Sequence, residues 1–258
     1  MKILRVCALA TALMLVAAAC GGNDDRAADS AAGDTGSDPA TEAPSNGEFC
    51  TSVVQAEAAV LATASGGDPG AVEGLLATVE ETAPEELQEQ VSVVLDTVNQ
   101  ALQTRDDSAF EDEEFAQNEE EVDQWVAENC GYEAVDVTAV EYAFEGAPET
   151  LAAGTATFTF TNGGEELHEM ILVRFKDEGD SVQDLMKLSD KQAQKRVDFL
   201  GASFGPPGTV DTESREMAPG KYAMLCFIPV GATSEKAARK AEGPPHVARG
   251  MSAEFTVE

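Results

Sequence analysis

Pro219-Gly220-Lys221-Tyr222-Ala223-Met224-Leu225-Cys226-Phe227 reads as a turn and then an alternating strand that ends on a cysteine. A period of two is the pattern of a half-buried β-strand. The same period extends outward in both directions. Upstream, Val135, Val137, Val140 and Tyr142 mark a first strand, and Thr155 to Thr161 alternates threonine with Ala156, Phe158 and Phe160. Asn162-Gly163-Gly164 then signals a turn. Met170 to Phe175, Thr209 to Met217, Lys221 to Ile228 and Met251 to Val257 continue the series. Asp180 to Leu200 interrupts it with helical spacing at Val182, Leu185, Met186 and Leu188, and Gly201 to Gly208 reads as a Gly/Pro-rich loop. About seven short strands with regular turns predict a Greek-key β-sandwich or barrel with an inserted helix over residues 132–258.

Before residue 132 the period is helical. Phe49 to Ala64 forms a first segment, ended by Gly66-Gly67. Asp68-Pro69 opens a second that runs to about Thr82, an N-cap with proline at the first helical position. A third starts near Pro84 and presents Leu87, Val91, Val94, Leu95, Val98 and Leu102. A fourth runs from about Glu111 to Asn129 with Phe115, Val122, Trp125 and Val126 inward, and Gly131 follows as its C-terminal cap. Four helices with short loops over residues 48–131 predict an up-down four-helix bundle.

The N-terminus sets the compartment. Lys2 and Arg5 precede an apolar run, Val6 to Ala19, in which Thr11 is the one polar residue. That run is too short to span a bilayer and suits a signal peptide over residues 1–19. Ala17-Ala18-Ala19-Cys20 resembles the processing site of a bacterial lipoprotein, although Ala17 stands where such signals usually carry leucine. The resemblance implies lipidation of Cys20 and attachment to the outer face of the cytoplasmic membrane. An ordinary secretory peptide cut within the alanine run is the alternative, and it too leads outside the cytoplasm. Residues 20–47 are Gly, Ala, Ser, Asp, Pro and Thr in the main. They read as a disordered tether with a root-mean-square reach of roughly 30 Å.

Acidic residues outnumber basic ones 48 to 16, for a net charge of -32. That balance excludes a nucleic-acid binder and attraction to an anionic lipid surface. Residues 20–131 hold 27 acidic and 2 basic residues, so the helical part carries most of the field. Such a face is solubilising, or it docks a basic partner.

Of the five cysteines, Cys7 leaves with the signal and Cys20 is taken by lipid. Cys50 opens the first helix and Cys130 closes the fourth. In an up-down bundle these ends coincide, which predicts a Cys50–Cys130 disulfide. Cys226 is then unpaired in an oxidising compartment and calls for a partner other than sulfur. His168 and His246 are the only histidines, and both share its half of the chain.

Here the residues resemble the cupredoxins, the type 1 blue-copper proteins of the plastocyanin and azurin kind. A histidine follows a strand and an Asn-x-Gly turn, a Pro-Gly-x-Tyr-x-x-x-Cys strand delivers a thiolate, and a second histidine and a methionine follow. His168, Cys226, His246 and Met251 meet that order over residues 132–258. The resemblance implies one copper ion held by these four residues, and one-electron transfer with a redox partner protein. The chemistry agrees, because a thiolate, two imidazoles and a thioether select copper over hard cations, with zinc as competitor. One departure stands out: nineteen residues separate Cys226 from His246, with a helix expected at Ser234 to Glu242. Lys236, Arg239, Lys240 and Arg249 make this segment a partner-facing loop or a solvated amphipathic helix. A metal-free interaction module and a copper capture or delivery protein are the rival readings. No nucleophile motif or phosphate loop points to an enzyme.

Overall fold

The computed structural model describes residues 46–258 apart from 65, 66, 69 and 107. The signal sequence, Cys20, the tether up to residue 45 and Pro69 lie outside the described residues. Among the described residues, no helix is long and apolar enough to cross a membrane.

Four long helices come first: α1 (Asn46–Ala64), α2 (Gly70–Thr82), α3 (Gln88–Thr104) and α4 (Glu113–Asn129). The first begins two residues inside the stretch read as tether. Asp68 caps the second by accepting from the Gly70 N–H at 3.0 Å. Asp112 caps the fourth by accepting from the Glu114 N–H at 2.8 Å, so α4 starts two residues later than its periodicity indicates. Phe49, Val72, Leu76, Val91, Val98, Phe115 and Val126 from all four helices meet in one apolar core. Trp125 sits edge-on to Phe49 at 5.5 Å between ring centroids. Cys50 and Cys130 form the predicted disulfide, with their Cα atoms 5.7 Å apart.

Nine strands follow: β1 (Glu133–Val140), β2 (Ala143–Glu145), β3 (Thr150–Leu151), β4 (Gly154–Asn162), β5 (His168–Phe175), β6 (Val197–Gly205), β7 (Val210–Met217), β8 (Gly220–Leu225) and β9 (Ser252–Val257). They form two sheets, ordered β2-β1-β4-β7 and β3-β9-β8-β5-β6. β1 runs parallel to β4 and β3 parallel to β9, while the other pairs are antiparallel. Val137, Phe158, Phe160, Leu172, Tyr222, Met224 and Phe255 fill the space between the sheets, as alternation requires.

The segment between β5 and β6 corrects the sequence reading. The inserted helix is two single turns, α5 (Val182–Leu185) and α6 (Asp190–Ala193). Residues 197–205, divided in the sequence reading between that helix and a loop, are strand β6, paired with β5 through a bulge at Leu172/Val173. The expected helix at Ser234 to Glu242 shrinks to α7 (Glu235–Ala238), because the chain must turn back for the Val230 N–H to reach the Pro244 carbonyl at 3.0 Å.

The helical part packs on β6 and β7, the edge strands of the two sheets. This covers edges that would otherwise offer unpaired backbone groups. Buried Arg215 on β7 is the polar centre of the contact, pairing with Glu57 of α1 and with Glu213 at 2.8 Å.

Candidate metal centre

Three segments meet at one end of the sandwich. His168 is the first residue of β5, Cys226 follows the last residue of β8, and His246 opens a short 3-10 turn, His246–Arg249, just before Met251 and β9. Each is fixed by backbone bonds. The Leu167 N–H donates to the Ala232 carbonyl at 2.7 Å, and the Val247 N–H donates to the Cys226 carbonyl at 2.7 Å. The His246 N–H reaches the Ile228 carbonyl at 2.9 Å, and Pro229 bridges to Pro245. The long excursion after Cys226 therefore folds back and brings His246 to the cysteine.

Asn162, the last residue of β4, organises the turn before His168. Its side-chain amide donates to the carbonyls of Glu166 at 2.9 Å and Gly205 at 2.8 Å, and its oxygen accepts from the Gly164 N–H at 3.0 Å. This is the physical content of the Asn-Gly-Gly signal.

The donor atoms converge. His168 Nδ1 lies 3.1 Å from His246 Nδ1, and Cys226 Sγ lies 3.3 Å from the same His246 Nδ1. The three ligand atoms all fall within 4.8 Å of one another, and all three side chains are fully buried. Met251 is equally buried and lies in the same apolar core as Cys226, and its carbonyl accepts from the Cys226 N–H at 3.4 Å.

The outer edges of both imidazoles face carboxylates. His168 Nε2 is 3.4 Å from Glu141 Oε1, and His246 Nε2 is 3.0 Å from Glu166 Oε2. Tyr142 packs edge-on against the His246 ring at 4.9 Å and donates its hydroxyl to Glu166 at 3.2 Å. Glu141 also accepts from the N–H groups of Glu165 at 2.5 Å and Glu166 at 3.0 Å. Burial acts to raise both carboxyls, but the N–H donors outweigh it and hold them below the usual carboxylate range. Burial lowers both histidines, with the neighbouring His246 adding to the effect at His168, so both imidazoles are neutral at pH 7. Burial pushes the Cys226 thiol up to about 12, and the Glu169 charge adds to it. Glu169 is itself almost fully buried; burial raises its carboxyl to about 7, although it accepts from the Phe227 N–H at 2.7 Å.

This donor set fits a soft or borderline cation. Carboxylates at both Nε2 positions assign the protons there and leave two Nδ1 lone pairs facing each other beside a sulfur. A single thiol proton cannot serve both nitrogens. A metal ion binding all three groups removes the conflict, and thiolate with imidazole is a ligand combination for copper or zinc.

The structure brings His168, Cys226 and His246 together and places Met251 in the same apolar core as Cys226. Sequence reasoning missed Glu141, Glu166 and Glu169. Glu166 lies within the recognised turn, but nothing in its spacing marks it as a partner of a histidine eighty residues away. Glu141 and Tyr142, read as the end of the first strand, belong to the turn after β1. Lys236, Arg239, Lys240 and Arg249 are all exposed.

No family model matches the sequence, and no curated protein matches it. Among solved structures, dithionite-reduced auracyanin from Roseiflexus castenholzii is 22% identical, covering 48% of this chain and 96% of that one, with a TM-score of 0.32. Auracyanin A from Chloroflexus aurantiacus, a "blue" copper protein, is 18% identical over 50% of this chain and 100% of its own, with a TM-score of 0.31. Rusticyanin from Thiobacillus ferrooxidans is 17% identical over 50% of this chain and 79% of its own, with a TM-score of 0.30. The chain is similar, over about half its length, to auracyanin and rusticyanin structures, and it carries a His168, Cys226 and His246 cluster of its own.

Proposed function

We propose that the protein binds one copper ion through His168 Nδ1, His246 Nδ1 and Cys226 Sγ, with Met251 as a fourth, weaker donor, and that it transfers single electrons. The observation that carries this reading is the convergence of two buried Nδ1 atoms and one buried sulfur within 4.8 Å. Copper supplies a one-electron couple that this set of soft and borderline donors accommodates in both oxidation states. The protein's part is to hold the donors. β5, β8 and the turn before β9 fix their positions, the sandwich core excludes water, and the neutral imidazoles present their lone pairs inward. Burial of all three ligands favours a resident ion over a cargo handed to an acceptor, which would need access to the site. The domain carrying it is read as a Greek-key sandwich behind an up-down four-helix bundle.

We place the mature protein on the outer face of a bacterial cytoplasmic membrane, held by lipid on Cys20 and presenting the copper domain to a redox partner protein. The Cys50–Cys130 disulfide supports an oxidising compartment. The mass of the native N-terminal peptide tests this: a diacylglyceryl group on Cys20 is expected, and an unmodified N-terminus elsewhere overturns the anchor.

Addition of Cu(II) to the purified protein tests the site. An intense visible sulfur-to-copper charge-transfer band is expected at one equivalent. Cys226→Ser abolishes it, His168→Ala and His246→Ala each weaken copper binding strongly, and Met251→Leu keeps the copper with a raised reduction potential. Absence of the band in the wild type, with no rise in Tm on adding copper, leaves a metal-free interaction module as the reading.

A further inference from the structure

We infer that Glu141 and Glu166 are positioning residues for the metal, two carboxylates that lock both imidazoles with Nδ1 inward and favour the more highly charged state of the bound ion. The inference rests on the copper reading above and deepens it.

Both imidazoles are fully buried, so each Nε2–H requires a protein partner. Each has one, and each partner is itself pinned. Glu166 Oε2, which accepts from His246 at 3.0 Å, also accepts from the Gly231 N–H at 2.5 Å, while Glu166 Oε1 accepts from the Tyr142 hydroxyl at 3.2 Å. Glu141 Oε1, 3.4 Å from His168, is held by the N–H groups of Glu165 and Glu166. Glu141 cannot swing away without losing two N–H donors of the turn that precedes His168, nor Glu166 without losing the Gly231 N–H and the Tyr142 hydroxyl.

Gly164 provides independent support. A Cβ at this position would run into both Glu141 Oε1 and His168 Nε2. The glycine keeps open the space in which carboxylate and imidazole meet.

A carboxylate on the remote N–H of a ligating imidazole fixes the ring and makes the other nitrogen more basic. Two such carboxylates also add negative charge close to the ion. Both effects stabilise Cu(II) more than Cu(I), because the interaction grows with the charge of the ion. The carboxylates therefore hold the reduction potential down, against the opposite pull of the buried apolar surroundings.

The test compares wild type, Glu141→Gln and Glu166→Gln loaded with copper. Glutamine keeps the shape and an acceptor oxygen and removes the charge. Each substitution is expected to lower Cu(II) affinity by about ten- to a hundredfold, with a smaller loss for Cu(I). Each tenfold change in that ratio raises the one-electron potential by about 59 mV. Glu166→Gln, at the shorter contact, is expected to give the larger rise. A role confined to folding would lower Tm and leave the potential in place. Copper bound by all three proteins at one unchanged potential overturns the role of the carboxylates and leaves the copper reading standing. A wild type that binds no copper overturns both. If a variant does not fold, nitrogen-15 NMR of the Cu(I)-loaded wild type decides: both Nε2 protons are expected to exchange slowly with water, and fast exchange at both overturns the inference.

Discussion

At the scale of single residues, burial sets the protonation state of the three clustered side chains before any metal arrives. The Cys226 thiol is pushed up to about 12 by burial, with the Glu169 charge adding to it, so the metal-free protein carries a protonated sulfur at neutral pH. Both imidazoles are lowered by burial and carry no extra proton to lose. Copper must therefore displace one proton, the thiol's. Below the thiol's folded value, affinity rises as pH rises, by about tenfold per unit between about pH 7 and 9. Chelator competition at two pH values measures this slope. A pH-independent affinity would show that the sulfur is already ionised or is not a ligand. His168, Cys226 and His246 were singled out in the sequence by an order that resembles the cupredoxins, elimination alone leaving Cys226 unpaired. Two histidines and one leftover cysteine occur in one half of the chain, in a recognisable order. The carboxylates behind them were not legible, since a glutamate in an acidic chain carries no signal until the fold sets the turn after β1 beside the turn before β5.

At the scale of elements, alternation located the longer strands, passed over the short β2 and β3, and failed at β6, where glycine replaces side chains. In Val197-Asp198-Phe199-Leu200-Gly201-Ala202-Ser203-Phe204-Gly205 the helical spacing of the preceding segment and the glycines together hid strand β6. The structure supplies the reason for Gly201. Its φ is +154°, and a Cβ there would strike the side chains of Glu213 and Arg215. The glycine makes room for the buried arginine whose Nε donates to the Leu200 carbonyl at 2.7 Å. The strand's unusual composition thus follows from a contact with another sheet, which no local pattern reports. The helices were easier to read, because their caps lie within the same segment: Asp68 and Asp112 accept from N–H groups two residues ahead. The start of α4 shifted by two residues, where the Asp112 cap overrode the apolar spacing.

At the scale of the whole molecule, the helical part is tied at its two ends and docked at one seam. The Cys50–Cys130 bridge closes a loop across a sequence separation of 80 and removes unfolded-state entropy worth about 4–5 kcal/mol on the chain-entropy model. Arg215 joins α1 to β7 through Glu57, on an edge strand and not on the segments that carry His168, Cys226 and His246. The arrangement leaves the site assembled within the sandwich alone, from β5, β8 and the turn before β9. On the proposed reading, this site holds one ion and passes single electrons without giving the ion up. Cyclic voltammetry of the copper-loaded protein, with copper content determined before and after repeated cycling, tests it most directly. One reversible one-electron wave is expected, with one copper per chain throughout and no wave in Cys226→Ser. A wild type that loses its copper on reduction, or that shows no wave at all, would contradict it.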